Sequence, residues 1–284
     1  MGTSGHKLSR LEGLHGIVGS TMSRRLLSPG GLYHAVRDQL GSIRRVYGRG
    51  NAIVRRGDFG QHEEIVLLLH GFMQTRNVWD VMEDRLRYDG FGVFSLDLGG
   101  LFRRFNNRSI AVLAEAISEK LEGVCAKHGM DRFHIVGHSK GGLVARHYIQ
   151  HHGGDRRVKS LVTLGTPHRG TPTAALGVWL MGGGLLSRSP IEMLPRSAMV
   201  RRLGRDTFPA HVPMTSVYSR HDVVCPHWCS KLLPREGESS MRNVSVKRVG
   251  HTELCYDPGV YQIVRNELQE AAGLWRERTG HAGD

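Results

Sequence analysis

The 284 residues predict an α/β fold in which a mostly parallel central sheet carries helices on both faces. Three observations point there. Residues 65–69 form an unbroken apolar run ending in His70 and Gly71, which suits a strand buried on both faces of a parallel sheet. Strand-like and helix-like segments then alternate almost to the C-terminus. A hydrophobic content of 39% is ordinary for a globular chain, and a single domain of this length buries about 75% of its unfolded surface.

The elements follow in order. Residues 1–44 are rich in Gly, Ser and Arg and weakly periodic, which predicts a basic, partly ordered extension ahead of a folded domain over residues 45–284. Val46 with Tyr47, and residues 52–54, suggest a short hairpin around a Gly-rich turn. Residues 77–88 predict a helix with Val78, Val81, Met82 and Leu86 on one side, and residues 91–96 a strand. Over residues 109–126, Ile110, Leu113, Ala114, Ile117, Leu121 and Val124 recur at helical spacing. Residues 132–136 predict a strand, 141–152 a helix and 158–164 a strand. After an insert over about 171–209, residues 213–218 and 244–249 read as strands. A last helix opens with Asp257 as N-cap and Pro258 at its first position.

The formal net charge of +13 is unevenly spread. Residues 1–60 hold 10 basic and 3 acidic side chains, residues 183–210 hold five Arg against Glu192 and Asp206, and residues 211–284 balance at 9 and 9. A nucleic-acid reader would carry its charge on the fold itself, so no nucleic-acid partner is expected. No apolar run reaches the roughly 20 residues of a membrane span, and the first 30 residues lack a clean secretion signal. A cytoplasmic or peripherally membrane-associated location is expected.

The chemistry concentrates at three strand ends. Gly137, His138, Ser139, Lys140, Gly141 and Gly142 lie between a predicted strand and a predicted helix. A Gly-x-Ser-x-Gly in that setting is a nucleophile elbow: the turn is so tight that side chains at Gly137 and Gly141 would strike neighbouring backbone, and the serine Oγ stands clear. A serine needs a base and the base an orienting carboxylate, in the chain order Ser, acid, His. Asp222 follows the strand predicted at 213–218, with Asp206 and Asp257 as rivals. His251 follows the strand predicted at 244–249, with His221 and His168 as rivals. The backbone N–H groups of Phe72 and Lys140 are the expected oxyanion donors, and a Ser-His-Asp acyl transfer of this kind requires no cofactor.

The segments Leu69 to Phe72, Gly137 to Gly142, Leu164 to Thr171, Asp222 to Val224, and Gly250 with His251 occur in one order that resembles bacterial triacylglycerol lipases and esterases of the α/β-hydrolase superfamily. The resemblance spans roughly residues 62–272, and Gly165, Thr166, Pro167, His168, Arg169, Gly170 and Thr171 sharpen it toward lipases. It implies an α/β-hydrolase fold, a serine carboxylic-ester hydrolase with Ser139, Asp222 and His251 as triad, and an acyl-ester or lipid substrate. Acyl transfer to another alcohol, or a non-catalytic ligand-binding role, are the competing readings. Some lipases of this group hold calcium beside the histidine through an Asn-Gln pair; residues 252–257 lack that pair, and no metal is expected.

Two features remain. Residues 174–186 hold no charge, and the plainer expectation is a helix and turn buried on the sheet. The alternative is an apolar lid, with Trp179, Leu180 and Met181 toward acyl chains and residues 182–184 as hinge. The five Arg that follow would suit contact with an anionic lipid surface. Cys125 is expected as a buried thiol, while Cys225, Cys229 and Cys255 are read as reduced packing thiols, with a disulfide or a zinc site as alternatives.

Overall fold

The computed structural model describes residues 58–280, apart from 97, 100–105 and 239. The expected extension over 1–44 and the hairpin over 46–54 lie outside the described residues. Strand β1 spans Ile65–Leu69, helix α1 Asp80–Tyr88, β2 Gly92–Ser95, α2 Ile110–His128, β3 Phe133–His138, α3 Lys140–His151 and β4 Val158–Leu164. Within the insert, α4 spans Ala174–Leu180, α5 Ser189–Glu192 and α6 Ala198–Arg205. Then come β5 Met214–Ser219, α7 His227–Ser230, β6 Met241–Val246 and α8 Pro258–Thr279. Among the described residues the strands form one six-stranded sheet in the order β2-β1-β3-β4-β5-β6, and every pairing is parallel.

Strand β1 shows why the sheet is two-sided. Ile65, Leu67 and Leu69 enter one core cluster with Ile110, Leu113 and Ile117 of α2 and Leu143 and Val144 of α3. Val66 and Leu68 enter the other, with Met82 and Leu86 of α1 and Val260, Val264 and Leu268 of α8. Side chains alternate across a strand, so five consecutive apolar residues supply both layers. Helix α2 ends at Gly129 in the left-handed conformation, φ 63°, where Gly carries no steric penalty. Helix α8 begins as expected, the Asp257 Oδ1 accepting from the Val260 N–H at 2.9 Å.

Three features differ most from expectation. The helix expected over 77–88 begins as a 3-10 turn, Arg76–Trp79, before α1. The strand expected at 244–249 lies three residues earlier, because β6 pairs Met241 with Met214, whereas Val249 is buried from the loop beyond it. The uncharged segment 174–186 is not buried on the sheet: Leu176 is 62% exposed, Trp179 75% and Leu185 90%. Only Ala174 of α4 joins the core. A seven-residue helix lying outside the sheet has one small residue to bury, so its apolar character was a poor guide to its position.

Candidate active site

From β1 the chain steps outward to β2 and then returns to the opposite side of β1 as β3. Parallel sheets open a crevice at such a switch point, beyond the carboxyl ends of the two strands. The loop starting His70, Gly71 and Phe72 leaves β1 there, and Ser139 leaves β3.

Ser139 is a single-residue turn. Strand β3 ends at His138 and α3 begins at Lys140, so the serine alone reverses the chain, with φ 52° and ψ −123°. A non-glycine residue in such a conformation costs on the order of 1–3 kcal/mol and persists only when its surroundings dictate it. Here the Ser139 N–H donates to the Leu164 carbonyl at 2.9 Å, and the Ser139 carbonyl accepts from Gly142 N–H at 3.1 Å. Gly141 is required by close approach, since a Cβ there would lie 2.2 Å from the Leu69 carbonyl oxygen. At Gly137 it would lie 2.7 Å from Gly142 Cα.

Asp222 and His251 come together from the loops after β5 and β6. The Asp222 Oδ2 lies 2.7 Å from His251 Nδ1, and both side chains are buried. The other oxygen, Oδ1, accepts from the N–H groups of Val224 at 2.9 Å and Cys225 at 2.7 Å. An imidazole whose Nδ1–H is taken by a carboxylate carries its lone pair on Nε2, where a proton can be received. The rivals are placed elsewhere. His168 Nε2 lies 3.0 Å from Thr163 Oγ1 in the core, and exposed His221 accepts from the Arg248 N–H. Asp206 faces His151 and Arg202, and Asp257 caps α8.

Phe72 and Lys140 flank Ser139 in the crevice. A Cβ on Gly71, the residue before Phe72, would lie 3.0 Å from Ser139 Cβ. Lys140 opens α3, so its backbone N–H has no acceptor within the helix. Its side chain is fully buried and donates to Asn106 Oδ1 at 2.8 Å, to the Asn106 carbonyl at 3.2 Å and to the Arg108 carbonyl at 2.5 Å. Burial pushes this ammonium well below its usual range, against the pull of the Glu192 charge. The role of that side chain in tying down residues 106–108 is invisible in the motif, which specifies only backbone.

Two more contributors escaped sequence reasoning. His138 joins the crevice as a side chain: its Nε2 lies 3.0 Å from the His251 carbonyl oxygen and its Nδ1 2.9 Å from Gln74 Oε1. Gly165, φ 56°, packs beside the Asp222–His251 pair, where a Cβ would lie 3.1 Å from both Asp222 Oδ2 and His251 Nδ1. Both belong to motifs already visible in the sequence, but their spacing says nothing of which loop they meet.

The insert is tied to α2 through α5. Glu192 accepts from Ser109 Oγ at 2.6 Å and from the Ile110 N–H at 2.7 Å, so its carboxylate caps α2. Trp179 and Leu180 are exposed, and Met181 is half-buried at the end of α4. The four cysteines are free and buried. Cys225 Sγ lies 3.1 Å from Ser230 Oγ, while Cys255 packs in the core cluster shared by α1 and α8, so a shared site of the three thiols is not formed. Among the described residues no group of three metal-ligating side chains is arranged to hold an ion, and no helix is long and apolar enough to cross a membrane.

A family model described as alpha/beta hydrolase fold matches residues 64–181. Among solved structures, the mature form of a Bacillus licheniformis lipase is similar at 14% identity and a TM-score of 0.58, over 72% of this chain and 91% of that one. An esterase from Exiguobacterium antarcticum matches at 15% identity and a TM-score of 0.55, over 73% and 92% of the two chains. Aspergillus fumigatus lipase B matches at 14% identity and a TM-score of 0.56, over 75% of this chain and 54% of that one. The sheet order, the turn at Ser139 and these likenesses agree: this chain has the α/β-hydrolase fold and resembles lipases and esterases of that superfamily.

Proposed function

We propose that the protein is a serine carboxylic-ester hydrolase acting on acyl esters, with a lipase-like substrate range. The observation that carries the reading is the 2.7 Å contact of Asp222 with His251 in the same crevice as the strained Ser139 turn. Ser139 Oγ attacks the acyl carbonyl while its proton passes to His251 Nε2. The N–H groups of Phe72 and Lys140 stabilise the oxyanion, each worth roughly 3–4 kcal/mol in the transition state. His251 returns the proton to the departing alcohol, then takes one from water as it attacks the acyl-enzyme, and passes it to Ser139 Oγ as the carboxylic acid leaves. Asp222 holds the imidazole throughout.

A lipid-like acyl chain suits the surface beside the site. Leu176, Trp179, Leu180, Leu185 and Leu186 are exposed along residues 176–186, and Arg188, Arg196, Arg201, Arg202 and Arg205 are exposed directly after them. Apolar side chains beside guanidinium groups match an anionic lipid surface. The test is hydrolysis of p-nitrophenyl esters of increasing chain length by the wild type and Ser139→Ala. Loss of nearly all activity in the variant is expected; equal activity would sink the assignment. Faster turnover once a long-chain ester passes its solubility limit supports the lipase range, and a steep preference for short soluble esters reduces the protein to an esterase.

A further inference from the structure

We infer that His138 is a positioning residue that holds His251 in place relative to Ser139. The inference rests on the hydrolase reading above and adds a fourth side chain to it.

The ring of His138 touches three separate parts of the crevice. Its own backbone ends β3 and runs straight into Ser139. Its Nε2 meets the backbone carbonyl oxygen of His251 at 3.0 Å, and the two imidazoles lie 4.6 Å apart between ring centres. Its Nδ1 meets Gln74 Oε1 at 2.9 Å, and the same oxygen accepts from the Gly71 N–H at 2.9 Å in the loop that carries Phe72. Trp79 closes the remaining side edge-on, its ring centre 6.3 Å from that of His138. The residue is wholly buried, so no water competes for these contacts. One rigid ring thus spans the turn of the serine, the loop of the histidine and the loop of an oxyanion donor. Asp222 fixes His251 only from the Nδ1 side; the carbonyl contact fixes its backbone.

The proton inventory sharpens this. A backbone carbonyl only accepts, so the contact with His251 requires the proton on His138 Nε2. Burial, reinforced by His251 beside it, holds the His138 imidazole well below its usual titration range, which favours a ring with one N–H to give. The Gly71 N–H donates to Gln74 Oε1, which keeps that oxygen toward Nδ1, so a ring with a single proton serves either Gln74 from Nδ1 or the His251 carbonyl from Nε2. The tautomer of His138 therefore decides whether His251 is held.

Two substitutions separate the contacts. His138→Gln places an amide nitrogen about where Nε2 stands, and His138→Asn places one about where Nδ1 stands. We expect His138→Asn to lower kcat toward a short p-nitrophenyl ester 10- to 100-fold with KM within about twofold, as small misplacements of reacting groups do. His138→Gln should recover most of the loss at a similar melting temperature. Equal impairment of the two variants, or a His138→Asn enzyme within twofold of wild type, would overturn the inference. Nitrogen NMR of the unmodified full-length protein reads the tautomer directly, whether or not the variants fold and whether or not any ester is hydrolysed. A protonated Nε2 with a bare Nδ1 on His138 supports the inference, and the opposite tautomer rejects it. A wild type with no esterase activity but an Nε2–H His138 would sink the hydrolase reading and leave the structural clamp standing.

Discussion

The carboxylate of Asp222 lies 2.7 Å from the His251 imidazole although 28 residues separate them along the chain, because β5 and β6 are adjacent parallel strands that deliver both loops to the same edge of the sheet. Replacing Asp222 by Asn keeps the shape but allows an amide N–H to face Nδ1, which favours the tautomer that cannot take the serine proton. The expected result is a fall of about 10³–10⁴ in kcat, with KM little changed, in steady-state ester hydrolysis. A loss below tenfold would remove Asp222 from the role of acid.

Gly165 leaves room for that pair. A Cβ there would lie 2.9 Å from Leu254 Cδ1 and 3.1 Å from both Asp222 Oδ2 and His251 Nδ1, at φ 56°. Gly165→Ala therefore both strains the backbone and displaces the pair, at a cost of about 1–3 kcal/mol. Urea unfolding and kcat should fall together; an unchanged kcat would show that the pair tolerates displacement.

Glu192 ties the insert to α2. Its carboxylate accepts from the first N–H of the helix, at Ile110, and from Ser109 Oγ. Glu192→Ala should cost about 0.5–2 kcal/mol, the range for losing a helix N-cap, with Glu192→Gln recovering part of it. Equilibrium unfolding measures both, and equal stability of the alanine variant and the wild type would refute the cap.

His147 predicts a pH effect. It is buried on α3, and neither ring nitrogen has a partner among the described residues. Burial, with His151, His152 and Arg202 adding to it against Asp206, lowers its pKa from 6.5 to about 4. As pH falls through that window the unfolded chain binds a proton that the folded one refuses, so stability falls, by at most about 3 kcal/mol. His147→Phe removes the proton uptake. Its stability difference from wild type should shift in its favour between pH 7 and pH 4.5, and a difference independent of pH would contradict the assignment.

Much of this site was legible in the sequence. The run Ile65–Leu69 announces a doubly buried strand because alternate side chains must satisfy two layers at once. Gly137 and Gly141 announce the turn at Ser139 because no side chain fits there. The order of Ser139, Asp222 and His251 follows from strand ends that a parallel sheet must place on one edge. These are local or periodic constraints, written into neighbouring residues.

Other features depend on which loops meet, and no spacing records that. The contact of His138 with the His251 carbonyl joins positions 113 residues apart, and the Lys140 ammonium reaches back to residues 106 and 108. The exposure of Trp179 has the same origin. An apolar segment is buried only if the fold offers it a surface, and of α4 only Ala174 reaches the core. Periodicity, glycine placement and motif order suffice for the alternating fold, the serine turn and the candidate acid and base. Tertiary structure alone decided what stands behind them, since buried hydrogen bonds between distant loops exist only once the sheet has brought those loops together.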